Sequence, residues 1–299
     1  MAKELRESPL LQTRGDKTLG VIFRVTILAF SAFCTLPFLL VLIASLTDEA
    51  TLVREGYRII PSMWSLEAYK AIFSSSTIPD AYAITVFITV AGTFMSMLVT
   101  SMLSYSLSCK QLRYRNIIAF FFYFTILFQG GLVPTYVLIS KYLRLRNTLW
   151  VYLLPYMVSP WYMFLLRNFF SDIPAELKES AKLDGANDAR ILFQLILPLS
   201  LPALATFTLF YALAYWGIWM ESMLYMDDKH LYTLQYIIMS IIRNLTASTE
   251  LADVGGSVVP PTYTIRLATA MVTIGPIIFL YPFLQKYFVG GLKVGGVKG

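Results

Sequence analysis

Apolar residues run along this chain in blocks too long for the core of a soluble helix. Six segments stay predominantly apolar for about 20 residues or more, the length that carries a helix across the hydrocarbon core of a bilayer. They are residues 20–46, 81–108, 116–140, 149–169, 199–220 and 267–287. The pattern predicts an all-α polytopic membrane protein with six transmembrane helices. The first block exceeds a signal-peptide core of roughly 7–15 residues, so it reads as a retained span. An even number of spans returns both termini to one side.

The polar positions between the blocks say which side. The tail before the first span carries Lys3, Arg6, Arg14 and Lys17. The short loop after the second carries Lys110, Arg113 and Arg115 without an acid, and the end of the chain carries Lys286, Lys293 and Lys298. Basic loops stay in the cytoplasm, so both termini are expected there. The loop over residues 47–80 holds Asp48, Glu49, Glu55, Glu67 and Asp80 against Arg54, Arg58 and Lys70, which suits the outside. Lys141, Arg144 and Arg146 run against this orientation and are outvoted. The division expected is a cytoplasmic tail over 1–19, a transmembrane domain over 20–290 and a cytoplasmic tail over 291–299. Within the domain, a polar hairpin covers about 171–197 and an outer loop about 221–266. Residues 231–242 of that loop are apolar enough for an interfacial or re-entrant helix. Residues 252–261, with Gly255-Gly256 and Pro260-Pro261, read as irregular connection.

The hairpin breaks the apolar pattern. Ser171 or Asp172 suits a helix N-cap, and Pro174 suits a first turn. Glu176 and Glu179 lie near the positive end of that helix. Asp184-Gly185 ends it, because glycine takes the left-handed conformation a helix C-terminus needs. Asn187 suits the cap of a second helix through Phe193, and Leu197-Pro198 marks the start of the fifth span. Small residues (Ser180, Ala181, Ala186) beside the turn let another backbone approach. A capped polar hairpin between two membrane spans is the shape of a docking element.

Within the spans, Thr85, Thr89, Thr93, Ser96, Thr100 and Ser104 recur at helical spacing and share one face of the second span. Hydroxyls so placed serve either tight helix packing or contact with a polar substrate. Tyr211, Tyr215, Trp216 and Trp219, with Trp161 and Tyr162, offer aromatic faces on which a ligand ring can stack, though such residues also favour membrane interfaces. Gln129 is a polar group inside the third span that needs a partner, either a pathway or a neighbouring helix. The substrate-path candidates are therefore Thr89, Thr93, Gln129, Tyr211, Tyr215, Trp216 and Trp219.

Composition agrees with the membrane reading. The chain is 57% hydrophobic and 14% charged, against about 25% charged in soluble domains, and its mean hydropathy is +0.63. The net charge of +6 is accounted for by cytoplasmic-side bases and implies no nucleic-acid partner. Cys34, Cys109 and the single His230 make neither a disulfide framework nor a metal site. The C-terminal glycines lack the G-x-x-x-x-G-K-[ST] order, so no phosphate-binding loop for ATP is present.

Glu179-Ser180-Ala181, Asp184-Gly185-Ala186, Phe193, Leu195 and Leu197-Pro198 resemble the "EAA" loop of inner-membrane permease subunits of binding-protein-dependent ABC importers. Phe128–Tyr136, Asn147-Thr148-Leu149-Trp150 and the ending Tyr281-Pro282-Phe283-Leu284-Gln285-Lys286-Tyr287-Phe288 through Gly299 are similar to carbohydrate-uptake permeases of the maltose type, nearest the oligosaccharide and alginate-like branch. Gly217 after Trp216 and Thr233-Leu234-Gln235 depart from that branch's asparagine and proline-leucine-glutamine. The resemblance implies a type I importer permease in a bacterial cytoplasmic membrane. The hairpin, through Glu179, Ser180, Ala181, Asp184, Gly185 and Ala186, would dock an ATPase. The partners implied are a second homologous permease, two ATPase subunits that bind ATP and Mg, an extracytoplasmic binding protein and a sugar. No cofactor and no catalytic residue are expected in this chain. The alternative, an ion-coupled secondary transporter, requires ionisable groups that the middles of the spans lack.

Overall fold

The structure, a computed structural model, describes residues 14–74, 77–241, 243 and 263–276. Most of the N-terminal tail, the irregular part of the outer loop, the second half of the last apolar block and the C-terminal tail lie outside the described residues. The chain divides into two compact units, residues 1–70 with 259–271, and residues 71–258 with 272–299.

In the first unit, α1 (Arg14–Ser45) is one unbroken 32-residue helix. Its apolar stretch, Leu19–Ser45, has only 6% of its most apolar window buried within the chain. A helix apolar all round and bare on every side is one made for lipid or for another protein. Beyond it, α2 (Glu49–Glu55) is capped by Asp48, whose side chain accepts from Thr51 N–H. The Glu49 carboxylate accepts from Tyr263 N–H at 3.0 Å and Thr264 N–H at 2.8 Å. It thereby caps the start of the helix over 263–276 from outside that helix.

The second unit is organised on α4 (Thr77–Ser108), which follows α3 (Glu67–Ser74). α4 is 32 residues long, enough for about 48 Å at 1.5 Å per residue. The remaining helices are shorter: α5 (Arg115–Leu127), α6 (Leu132–Val137, continued by a wider turn to Tyr142), α7 (Trp150–Leu153) and α8 (Pro160–Ser171). Next come α9 (Ala175–Leu183), α10 (Asp188–Ile191), α11 (Leu197–Leu199), α12 (Leu201–Trp216) and α13 (Met220–Tyr225). Residues 234–241 are helical again. α4 packs along both α12 and α8.

Among the described residues only α1 and α4 are unbroken helices of spanning length, and the number rises to four if two bent pairs each count as a span. The third apolar block turns by 116° between Leu127 and Leu132, at Gly130-Gly131, which hold helix poorly. The fourth is interrupted before α8, where Ser159 caps the new helix and Pro160 stands in its first turn. The fifth meets the hairpin at an 88° bend around Ser200, with Pro198 and Pro202 on either side. Hydropathy summed over a window is blind to the corners inside these blocks.

The hydroxyl face of α4 explains why α8 and α12 lie where they do. Ser96 Oγ is 2.9 Å from the Tyr215 hydroxyl, and Thr100 Oγ1 is 2.7 Å from that of Tyr211. Ser104 donates to the Met163 carbonyl at 2.9 Å, and Thr85 accepts from Leu234 N–H at 2.8 Å. Gly92 supplies the closest approach: a Cβ built there would lie 2.5 Å from the Tyr215 ring. Small residues and hydroxyls hold membrane helices together because lipid supplies no hydrophobic force between them. Replacing Gly92 with alanine should therefore overpack the contact and cost about 1–3 kcal/mol, lowering the thermal midpoint of the purified protein. The same change at Gly20, which has open space, should leave the midpoint unchanged.

Candidate functional site

The hairpin is built as the sequence suggests, with one difference at its start. α9 begins after Pro174, which occupies the N-cap position and offers no side-chain bond. Asp172 instead closes α8, and Ser171 bonds back to the Arg167 carbonyl. The turn itself is tightly specified. Ala186 N–H donates to the Ala181 carbonyl at 2.9 Å and Gly185 N–H to the Lys182 carbonyl at 3.0 Å. These are the paired bonds of a Schellman cap, with Gly185 at φ +78°. Asn187 Oδ1 then accepts from Arg190 N–H at 2.8 Å and opens α10.

One face of the hairpin is fused to the spans. Ile191 and Ile196 are fully buried with Tyr105, Leu166, Phe170 and Phe207, and Ala181 and Ala186 pack against the same cluster. The Tyr105 hydroxyl donates to Asp188 Oδ1 at 3.1 Å, and the same carboxylate oxygen lies 3.5 Å from Lys182. Lys178 turns inward and donates to the Phe170 carbonyl at 2.9 Å. Burial lowers the pKa of its ammonium from the ordinary lysine value, while the nearby Cys109 acts in the opposite direction. A cavity of about 500 Å³ separates the first arm from the base of α4, lined by Cys109, Lys110, Arg115, Glu176 and Lys178 among others.

The other face is free. Glu179, Ser180, Asp184 and Gly185 are exposed, whereas Ala181 and Ala186 are half-buried on the cluster just described. The six docking candidates thus separate into four that face outward and two that seat the hairpin. Leu183, which sequence reasoning missed, stands at the tip with 90% of its surface exposed. Its signal was its place, one residue before Asp184-Gly185, where no core can reach it.

The substrate-path candidates also separate. The Tyr211 and Tyr215 hydroxyls are spent on α4, on Ser159 N–H and on the Leu153 carbonyl. Thr89 Oγ1, Thr93 Oγ1 and Trp216 Nε1 are shielded from solvent and have no hydrogen-bond partner among the described residues. Gln129 is exposed at the 116° corner, and Trp219 is half-buried between α12 and α13. Thr233, where proline is common in the branch, donates its N–H to Ser222 Oγ at 3.1 Å and its hydroxyl to the Ile218 carbonyl at 2.7 Å. A proline would lack both donors.

A lipid-length helical bundle carrying a rigid polar hairpin is the architecture of a membrane permease. The curated relatives make the class specific. The chain is 39% identical to the "Polygalacturonan/rhamnogalacturonan transport system permease protein YtcP" of Bacillus subtilis (strain 168), covering 91% of this chain and 96% of the relative. It is 31% identical to the "Arabinooligosaccharides transport system permease protein AraQ" of Halalkalibacterium halodurans, over 91% of this chain and 94% of that one. Among solved structures, it matches a chain of "a bacterial ABC transporter involved in the import of the acidic polysaccharide alginate". That match has a TM-score of 0.80 at 29% identity and covers 92% of this chain and 98% of the other. No family model matches the sequence. The chain belongs to the permease subunits of sugar ABC transport systems. In such systems ATP is hydrolysed on a separate subunit, so this chain is not an enzyme. Nothing among these relatives supports ion coupling.

Because Gly185 meets no atom within 4 Å, a side chain there strains the backbone without colliding. Gly185→Val should cost about 1–2 kcal/mol locally and speed amide exchange at Gly185 and Ala186. Gly185→Asn, tolerated in the left-handed region, should do so far less.

Proposed function

We propose that this chain is one half of the membrane pore of an ATP-driven importer and that the hairpin is where another subunit's ATP chemistry enters it. The supporting observation is the two-faced hairpin: apolar and hydrogen-bonded to α4 on one side, free on the other, with Leu183 projecting at its tip. Leu183 enters an apolar groove of an ATPase subunit, and Glu179, Ser180, Asp184 and Gly185 surround it. Ala181 and Ala186 hold the element to the spans. Closure of the ATPase dimer on ATP and Mg moves the hairpin, and the motion passes into α4 through Asp188 and the buried isoleucines.

The topology is six-span, with the third to fifth spans bent and both termini in the cytoplasm of a bacterial inner membrane. The hairpin lies on that side, and the outer loop receives an extracytoplasmic binding protein. A second, homologous permease completes the pathway. From this chain the pathway takes Thr89, Thr93 and Trp216, whose unspent hydrogen-bonding atoms suit sugar hydroxyls, with Gln129 and Trp219 beside them. Tyr211 and Tyr215 position the helices that carry these groups. The names of the relatives, polygalacturonan and an acidic polysaccharide among them, support an oligosaccharide bearing uronic-acid carboxylates as the cargo.

Leu183→Asp places a charge where an apolar groove is expected. It should release the ATPase subunits on purification while the two permeases stay paired. Undiminished ATPase recovery and sugar-stimulated hydrolysis in that variant would remove the hairpin from its docking role.

A further inference from the structure

We propose that Arg266, at the outer end of the last apolar helix, recognises a carboxylate of the transported glycan and so selects acidic cargo. The assignment rests on the acidic-oligosaccharide reading above and names the residue that would enforce it.

Arg266 Nε and Nη2 are both shielded from solvent, and neither has a hydrogen-bond partner among the described residues. These two nitrogens form one edge of the guanidinium and donate side by side. That is the fork which meets the two oxygens of a carboxylate. Arginine stays charged in proteins, and a shielded charge without a partner is costly, so the edge calls for an anion. Two other arginines of the same unit are already served: Arg54 and Arg58 both reach Glu55, at 3.4 and 2.9 Å. The acid beside the helix start, Glu49, has both oxygens engaged by Tyr263 N–H, Thr264 N–H and the Thr264 hydroxyl.

The surroundings suit a sugar. Arg266 Cζ lies 5.9 Å from the centre of the Tyr263 ring, within the range where ring and cation attract. That ring is itself exposed. A cation with an unpaired donor edge beside an exposed aromatic ring offers a uronate both a counter-charge and a flat surface once movement of the spans uncovers that edge. A lipid phosphate would satisfy the same edge.

The test uses the assembled importer in nanodiscs with its binding protein. ATP hydrolysis is measured against a uronate oligosaccharide and its carboxyl-reduced counterpart. Arg266→Gln should raise the concentration of acidic sugar needed for half-stimulation about tenfold or more, the loss expected for a charged hydrogen-bond pair. The reduced sugar should shift much less. Arg266→Lys, which keeps the charge and loses the fork, should fall between, and it carries the test if the glutamine variant does not assemble. Equal shifts for the two sugars, or no shift, would overturn the assignment while leaving the acidic-cargo reading intact. A response to anionic lipid content that disappears in Arg266→Gln would also overturn it, in favour of a headgroup. If only neutral sugars stimulate the wild-type complex, the acidic-cargo reading fails and the assignment falls with it.

Discussion

The close approach of α4 and α12 is the contact on which the second unit depends. In water, two apolar helices are driven together by the loss of hydrated surface. In a bilayer that force is absent, and attraction has to come from packing and from hydrogen bonds between helices. Gly92 removes a side chain so that the Tyr215 ring can lie against the α4 backbone. The Tyr215 and Tyr211 hydroxyls then reach Ser96 and Thr100. The same two hydroxyls bind Leu153 and Ser159 on the segments leading into α8. One row of small and polar residues on α4 thereby fixes three helices at once.

The hairpin is tied into this arrangement. Tyr105, one residue past the hydroxyl row, binds Asp188 of the hairpin. Ile191 and Ile196 enter the cluster that also holds Phe170 of α8 and Phe207 of α12. A displacement at the hairpin tip therefore acts on the ends of three helices through buried contacts. Toward its other end α4 meets the segment after α13 through Thr85 and Leu234 N–H. Unspent polar atoms lie between these two anchors, at Thr89 and Thr93, where the face of α4 is not fully occupied in holding the helix bundle.

Much of this was legible in the sequence, and the reasons differ by element. The hydroxyl row was readable because helical spacing is regular, so Thr85 through Ser104 had to share a face. Which members pack and which stay free was not readable, since it depends on partners on α8 and α12 that are more than fifty residues away. The hairpin turn was readable from Asp184-Gly185 and Asn187, whose roles are local. Its first cap was not, because Ser171, Asp172 and Pro174 compete for neighbouring positions and the end of α8 claims two of them. The corners at Gly130-Gly131 and Ser200 carried local signals that the apolar count overrode. Leu183 escaped notice because a leucine in an amphipathic helix is ordinarily assigned to a core.

In the proposed coupling the hairpin and α4 move as one body. Spin labels at the exposed positions Glu179 and Ser106, in an assembled importer with Cys34 and Cys109 replaced, report the distance between them directly. The account predicts one narrow distance distribution that stays in place when the ATPases are trapped with ATP, while distances from the hairpin to the second permease change. A distribution between Glu179 and Ser106 that shifts or broadens on trapping would mean the hairpin swings free of α4, and would contradict it.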